Sequence, residues 1–169
     1  MKNLGNIVKT GVLTASAIGL LVVAACSSNT AGSSAPQQPS GRIRPVTITA
    51  SVAGNSALAI PTSTVTANWN SRFAVATPGG QEMFMAYVYN GTTYVRASIC
   101  PPCGSQSFSL IGDTLVCAVC GTVFYAQSGA WKVGPCRFPK QPVAFTVNGD
   151  NIVMNNTDLL AAYNKTRNP

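Results

Sequence analysis

The chain of 169 residues contains no histidine and few carboxylates, and each scarcity excludes a class of chemistry. Without histidine there is no Ser-His-Asp or Cys-His nucleophile, no His-containing zinc site and no imidazole base. Four carboxylates are too few to favour a calcium cage or a paired-carboxylate hydrolase. They are Glu82, Asp113, Asp150 and Asp158. Six cysteines are the versatile residues that remain, so a specific function depends mostly on them.

Charged residues make up only 9% of the chain, and 11 Lys and Arg stand against 4 Asp and Glu. The basic residues are scattered, without a basic run or an aromatic–basic stripe. We therefore expect no nucleic-acid partner. A scattered basic excess favours a weak attraction to anionic lipid headgroups instead.

The N-terminal segment has the pattern of an export signal. Lys2 and Lys9 frame a polar start, and the apolar stretch 11–23 is too short for an ordinary spanning helix. The sequence VAAC, which ends at Cys26, resembles the lipobox of bacterial lipoproteins. The resemblance implies a signal peptide over 1–25, lipidation of Cys26 and an extracytoplasmic protein anchored to the membrane. The alternative is a plain secretory signal cut at an Ala-x-Ala-like site nearby.

Composition then divides the rest of the chain into a tether and a domain. Residues 27–41 are built from Ser, Gly, Pro, Gln and Asn without apolar periodicity, so we expect 26–41 to be a flexible tether. Residues 42–169 are enough for one domain with its own core. We expect residues 42–71 only to complete the sheet or to pack on it.

Short alternating segments separated by turn residues predict a small antiparallel β domain, either a barrel or a sandwich. Asn90-Gly91 is the strongest hairpin signal, because both central positions of a type I′ turn need a positive φ. Only 157–163 looks helical, with Thr157 as its N-cap, which predicts a short C-terminal helix. The predicted strands are 46–52, 63–69, 72–77, 82–89, 92–98, 107–111, 114–117, 122–126, 130–133, 143–147 and 151–155.

Two Cys-x-x-Cys-Gly motifs, at 100–104 and 117–121, are the chemically informative feature. In such a motif a tight turn brings both sulfurs to one side, and the glycine accepts a positive φ. Two of these loops on neighbouring hairpins can bring four sulfurs to one point, which suits Zn²⁺ or an iron–sulfur centre. The candidate metal and cofactor ligands are Cys100, Cys103, Cys117 and Cys120.

Disulfides are the main alternative, since exported proteins pair their cysteines more often than cytosolic ones. A bridge within one Cys-x-x-Cys closes a small, strained ring, whereas a bridge between the two loops would be less strained. Thiol–disulfide exchange is disfavoured because no βαβ context surrounds either motif. Cys136 is a candidate fifth sulfur, a buried free thiol or a disulfide partner, and the sequence leaves this open.

The order of features over 72–154 resembles a Rieske-type iron–sulfur domain. The stretch 117–129 is similar to the second Rieske box, but Cys120 stands where that box has histidine. In the first box the histidine position corresponds to Pro102, and Cys103 lies one residue further on. A cluster with two histidine ligands is therefore impossible, so the resemblance implies the scaffold and its two loops and not the ligand set.

The cysteine and glycine spacing also resembles a family of bacterial membrane proteins described as iron–sulfur containing. That family has two Cys-x-x-Cys pairs and a later Gly-Gly-Cys, which here is Gly134-Pro135-Cys136. The resemblance implies a [2Fe–2S] cluster held by the four cysteines, and the four thiols by themselves also suit zinc. It also implies electron transfer or service to a membrane redox or metal-transport protein.

The rival interpretation is a non-enzymatic surface or binding module that zinc or disulfides merely staple. An enzyme is less expected, although a Tyr or Lys base would be available.

Other residues carry weaker expectations. Phe124 could cover the second loop and exclude water, and the remaining Phe and Trp residues are expected in the core or over the loops. Arg96 and Arg137 could offset the negative charge of a tetrathiolate centre. Their alternative is that both are solvated surface charges.

Overall fold

A computed structural model describes residues 37–77 and 79–168. The predicted signal peptide over 1–25, the lipidation of Cys26 and most of the predicted tether therefore lie outside the described residues. Within the described part, no helix has the length and apolar character needed to cross a bilayer.

Thirteen mostly short strands and two helices make up the described chain. The strands are β1 Arg42–Ile43, β2 Val46–Thr47, β3 Ser51–Val52, β4 Ala57–Pro61, β5 Asn70–Thr77, β6 Gly80–Tyr89, β7 Thr92–Ala97, β8 Phe108–Ile111, β9 Thr114–Cys117, β10 Val123–Tyr125, β11 Trp131–Val133, β12 Thr146–Asn148 and β13 Asn151–Asn155. The helices are α1 Thr62–Asn68 and α2 Asn156–Arg167.

The strands form three sheets, ordered β1-β8-β9-β10-β11, β12-β13-β4-β3 and β2-β5-β6-β7. All pairings between these strands are antiparallel except β2 with β5, which is parallel. Asn90 and Gly91 both have positive φ, 48° and 70°, as the type I′ turn between β6 and β7 requires. The fold is therefore mostly β, as predicted. The sheets of the described residues are open, so they do not form the closed barrel that was one of the two predicted forms.

Two hydrophobic clusters divide the interior. The larger lies between β4, β5, β6, β7, β13 and α2. Within it Phe73 stacks on Phe84, and Tyr163 packs against Phe84 at a tilted angle. The smaller lies under the five-stranded sheet and contains Phe108, Phe124 and buried cysteines. The cysteine loops therefore pack on a hydrophobic core that is separate from the larger one.

The prediction of a strand over 63–69 is wrong, because helix α1 occupies 62–68. Its alternating β-branched residues favour a strand locally, yet the helix buries only Val65 and ends where Trp69 takes a left-handed φ of 60°. Packing therefore overrides propensity here.

Two other predicted elements differ in extent. The predicted strand 46–52 is divided into β2 and β3, which pair in different sheets. The predicted C-terminal helix exists, but it runs to Arg167, and its N-cap is Asn155, not Thr157.

Candidate metal centre

The first cysteine loop, 100–104, is a hydrogen-bonded turn that follows β7. The backbone N–H groups of Cys103 and Gly104 both donate to the carbonyl of Cys100, at 3.1 and 2.8 Å. The Cys100 N–H donates to the carbonyl of Ser105 at 2.7 Å and closes the loop at its base. Gly104 takes a φ of 68°, the left-handed conformation that explains a glycine at this position.

The second loop, 117–121, follows β9 and repeats this design. The Gly121 N–H donates to the Cys117 carbonyl at 3.2 Å, and the Cys117 N–H donates to the carbonyl of Thr122 at 2.9 Å. Gly121 has a φ of 70°. The Ala118 N–H also donates to the carbonyl of Ser107 at 2.9 Å, which ties the loop to the segment that leads into β8.

The two loops bring four sulfurs together into what we call the cysteine cluster: the Sγ atoms of Cys100, Cys103, Cys117 and Cys120, all within 4.8 Å of one another. Sulfurs of opposite loops lie 3.6 Å apart for Cys100 and Cys120, and 3.7 Å apart for Cys103 and Cys117. All five cysteines of the described residues are free thiols, so no disulfide links the loops. The first cysteine of each loop is buried, and the second is half-buried.

These distances test whether the cluster fits a metal. A tetrahedral ion with metal–sulfur bonds of about 2.3 Å separates its sulfurs by about 3.8 Å. The two separations between sulfurs of opposite loops, 3.6 and 3.7 Å, are close to this value. A bridged two-iron cluster binds two sulfurs at each iron, so it would require the two pairs to lie farther apart. The cluster therefore fits one four-coordinate ion directly.

Thr122, the residue after the second loop, acts on Cys120. Burial raises the pKa of the Cys120 thiol, but the hydroxyl and the backbone N–H of Thr122 donate to its sulfur. With smaller contributions from the neighbouring thiols, these hydrogen bonds lower the Cys120 pKa to about 6. The hydroxyl lies 3.1 Å from the sulfur. The surroundings of Cys120 therefore favour its thiolate form.

The first loop has the opposite electrostatics. Burial raises the pKa of Cys100, and the neighbouring thiols to which Cys100 donates raise it further. Burial also raises the pKa of Cys103. The metal-free loop therefore holds protons that metal binding must displace.

Lys140 is a buried cation close to the first cysteine loop. Its side chain is 1% exposed, and its ammonium group donates to the carbonyl of Ile99, the residue before the first loop. The ammonium also lies over the rings of Phe124, at 4.5 Å, and Phe108, at 5.2 Å. Burial lowers the pKa of Lys140, and the negative charge of the cysteine thiolates opposes that shift.

No carboxylate of the described residues forms an ion pair with Lys140. An ammonium buried in this way is costly unless a negative charge lies near it. Cysteine thiolates formed when the cluster binds a metal would supply that charge. The buried lysine and the cluster therefore complement each other electrostatically.

The two arginines that were expected to offset the cluster charge, Arg96 and Arg137, make other contacts. Arg96 is buried and not solvated, and its guanidinium donates to the Tyr87 hydroxyl at 2.8 Å and to the Lys140 carbonyl at 2.9 Å. It therefore fixes the backbone that carries Lys140. Arg137 is exposed and stacks over Trp131 at 4.9 Å, which agrees with a surface charge.

Cys136, the candidate fifth sulfur, is 1% exposed and belongs to the same small core as the cluster. Its backbone N–H donates to the Thr122 hydroxyl at 3.1 Å. The close approach of this segment to Thr122 explains Gly134, whose φ is 112° and where a Cβ would lie 2.7 Å from the Thr122 Cα. Cys136 thus lies behind the cluster as a buried thiol.

Sequence reasoning missed Lys140 and Thr122. Lys140 stands in the proline-flanked segment 138–142, which has the pattern of a surface loop, and only the fold carries it over two phenyl rings. Thr122 directly follows the second loop, and a hydroxyl at that position was the available signal.

Comparisons with known proteins agree with the chemistry of the site. The family model described as "Membrane iron-sulfur containing protein FtrD-like" matches residues 65–165. No curated protein matches the chain.

Some solved ferredoxin structures resemble it. The Sphingomonas yanoikuyae B1 ferredoxin matches with a TM-score of 0.41 and 20% identity, covering 48% of this chain and 83% of its own. The ferredoxin of carbazole 1,9a-dioxygenase from Nocardioides aromaticivorans IC177 matches with a TM-score of 0.41 and 17% identity, covering 50% of this chain and 83% of its own.

Proposed function

The chain belongs to the FtrD-like family of membrane iron–sulfur proteins, and from this premise we propose that it transfers electrons through an iron centre held by the cysteine cluster. Iron bound by four thiolates supplies a one-electron couple. The protein contributes the four ligands, a low-dielectric surrounding and hydrogen bonds to sulfur, which together set the potential.

The observation that carries this proposal is the cysteine cluster facing a buried ammonium. Four thiolates exceed the charge of either ferrous or ferric iron, so the centre stays negative in both oxidation states. Lys140 offsets that charge, and it favours the reduced state because that state is the more negative. A zinc staple would gain stability from the same lysine, but it would not use the difference between two oxidation states.

The half-buried cysteines provide the route for electrons. Cys103 and Cys120 are the cluster members that reach solvent, whereas Cys100 and Cys117 are covered by the small core. A redox partner that approaches the loop tips therefore comes close to the metal without any opening of the fold.

The number of metal ions is a finer question. A [2Fe–2S] cluster, implied by the Rieske and family resemblances, requires two separated sulfur pairs. The spacing of the cysteine cluster supports a single iron ion instead, because all four sulfurs lie within 4.8 Å.

The proposal extends to the organisation of the chain. In it, residues 1–25 are a signal peptide, Cys26 carries lipid, 26–41 are the tether, and 42–169 are the extracytoplasmic domain. A tether of this length has a reach of roughly 20 Å, enough to let the domain meet a membrane redox or metal-transport protein.

Anaerobic purification of the full-length protein, followed by assays for iron, zinc and acid-labile sulfide and by a redox titration of its absorption, tests the function. We expect iron and a reversible one-electron transition, both absent from a C100A/C117A variant. One iron per chain without sulfide would support the single-ion form. Two irons with two sulfides would support the function but overturn the single-ion form. Zinc, or iron-free protein with paired thiols, would overturn the function and favour a structural staple.

A further inference from the structure

A cleft of about 350 Å³ beside the second cysteine loop carries an unexplained concentration of positive charge. Three arginines line it, and no Asp or Glu does. The full lining is Arg42, Arg44, Pro45, Arg72, Ser107, Ser109 and Ala118. We propose that this cleft docks an acidic patch of the protein that exchanges electrons with the cysteine cluster, an inference that rests on the proposed function.

The fold holds two of the guanidinium groups in place. Arg42 donates to the Ser109 hydroxyl at 3.5 Å, and the Nε of Arg72 donates to the Thr47 hydroxyl at 2.9 Å. Each contact uses one of the five N–H donors of a guanidinium, so most of the fork stays available to a ligand. Strand pairing explains the convergence, since β1 joins β8 while β2 joins β5.

The charge of the cleft is unbalanced. None of its arginines forms an ion pair with a carboxylate of the described residues, where the only ion pair joins Lys132 and Asp113. Three like charges around one concavity repel each other and attract anions. Guanidinium forks bind carboxylates through two parallel hydrogen bonds, which favours a partner surface rich in Asp and Glu.

The position of the cleft points to a redox partner. Ala118 lines the cleft and directly follows Cys117, so a molecule bound there lies beside the metal loop. The next residue, Val119, is 68% exposed and offers an apolar contact that a small free anion would not use. An apolar contact bordered by charge is the usual composition of a transient protein interface.

An anionic lipid headgroup is the competing ligand for three arginines. Binding of a headgroup in this cleft would press the second loop against the bilayer and cover the route to Cys120. The open loop tip therefore favours a protein partner, and the experiment separates the two ligands.

Binding of a fluorescent hexaglutamate peptide to the full-length protein in zwitterionic detergent, followed by anisotropy, tests the cleft. We expect the peptide to bind with an affinity that decreases as the salt concentration rises. The affinity should be roughly tenfold lower, or weaker still, in R42Q/R44Q. The matched control is K165Q/R167Q, which removes the same charge from the end of α2 and should change the affinity little. Because Arg44 makes no side-chain hydrogen bond within the described residues, R44Q alone serves if the double variant misfolds.

Equal loss in the two double variants, or no loss in either, would overturn the proposal. So would binding to phosphatidylglycerol vesicles that depends on Arg42 and Arg44 while the peptide does not bind. Peptide binding is measured separately from iron content, so its failure is distinct from a failure of the proposed function.

Discussion

The two cysteine loops are alike in backbone and different in electrostatics. In each, the first cysteine accepts a hydrogen bond from the glycine and donates to the residue that follows it. In the first loop that residue is Ser105, whose hydroxyl donates to Ser107. In the second it is Thr122, whose hydroxyl contacts Cys120. The Thr122 contact therefore contributes to the lowered pKa of Cys120, whereas burial raises the pKa of Cys100 and Cys103.

The difference indicates how the centre takes up its metal. Cys120, with its lowered pKa, presents a thiolate to an arriving ion, whereas Cys100 and Cys103 gain their ligand form only when the ion displaces their protons.

Removal of a sulfur from either loop should have the largest effect. We expect C103S and C120S each to lose stoichiometric iron, because both loops must contribute two ligands to a four-coordinate ion. C136S is the matched control, since Cys136 lies behind the cluster, and it should retain iron. Metal analysis after anaerobic reconstitution checks this. Loss of iron in C136S would make Cys136 a ligand and break the pairing of the loops.

The charge of Lys140 interacts with thiolates of both loops, so its removal should change the redox potential of the metal centre. We expect K140M to lower the midpoint potential by roughly 60 mV, a tenfold change for one electron, because the reduced centre loses its counter-charge. K140R should restore most of the shift. K132M removes a charge that is more exposed and paired with Asp113, and it should leave the potential nearly unchanged. An unchanged potential in K140M would contradict the electrostatic role.

A smaller and more selective effect should follow from T122V. Loss of the hydroxyl should raise the Cys120 pKa by roughly one unit from about 6, because a hydrogen bond to a thiolate is removed while the backbone one stays. In metal-free protein, alkylation of Cys120 should fall as pH drops through its pKa, and in T122V the fall should begin at higher pH. S105A is the matched change in the first loop and should not alter Cys103. Identical pH profiles for T122V and the wild type would remove the distinction between the loops.

Local sequence signals predicted much of this molecule. The Asn90-Gly91 hairpin, the strands around the loops and the C-terminal helix follow from turn chemistry and alternation, which act over a few residues. The repeated Cys-x-x-Cys-Gly also predicted the iron–sulfur family, because that spacing itself defines a ligand-bearing turn.

What the sequence did not predict depends on distant contacts. Helix α1 carries a strand-like pattern, and only its packing of Val65 into the larger core decides its form. Lys140 lies 20 residues or more from every cysteine of the cluster, and nothing local marks a lysine as buried. The arginine cleft likewise combines residues from separate strands, so its charge does not form a continuous basic run in the sequence.

The unequal burial of the four sulfurs gives the centre a front and a back. Cys100 and Cys117 are rooted in the small core, while Cys103 and Cys120 stand at the rim. A chelator in solution would therefore reach the outer ligands, Cys103 and Cys120, before the two inner ones. Removal of a bound ion would then begin at the exposed side of the cluster.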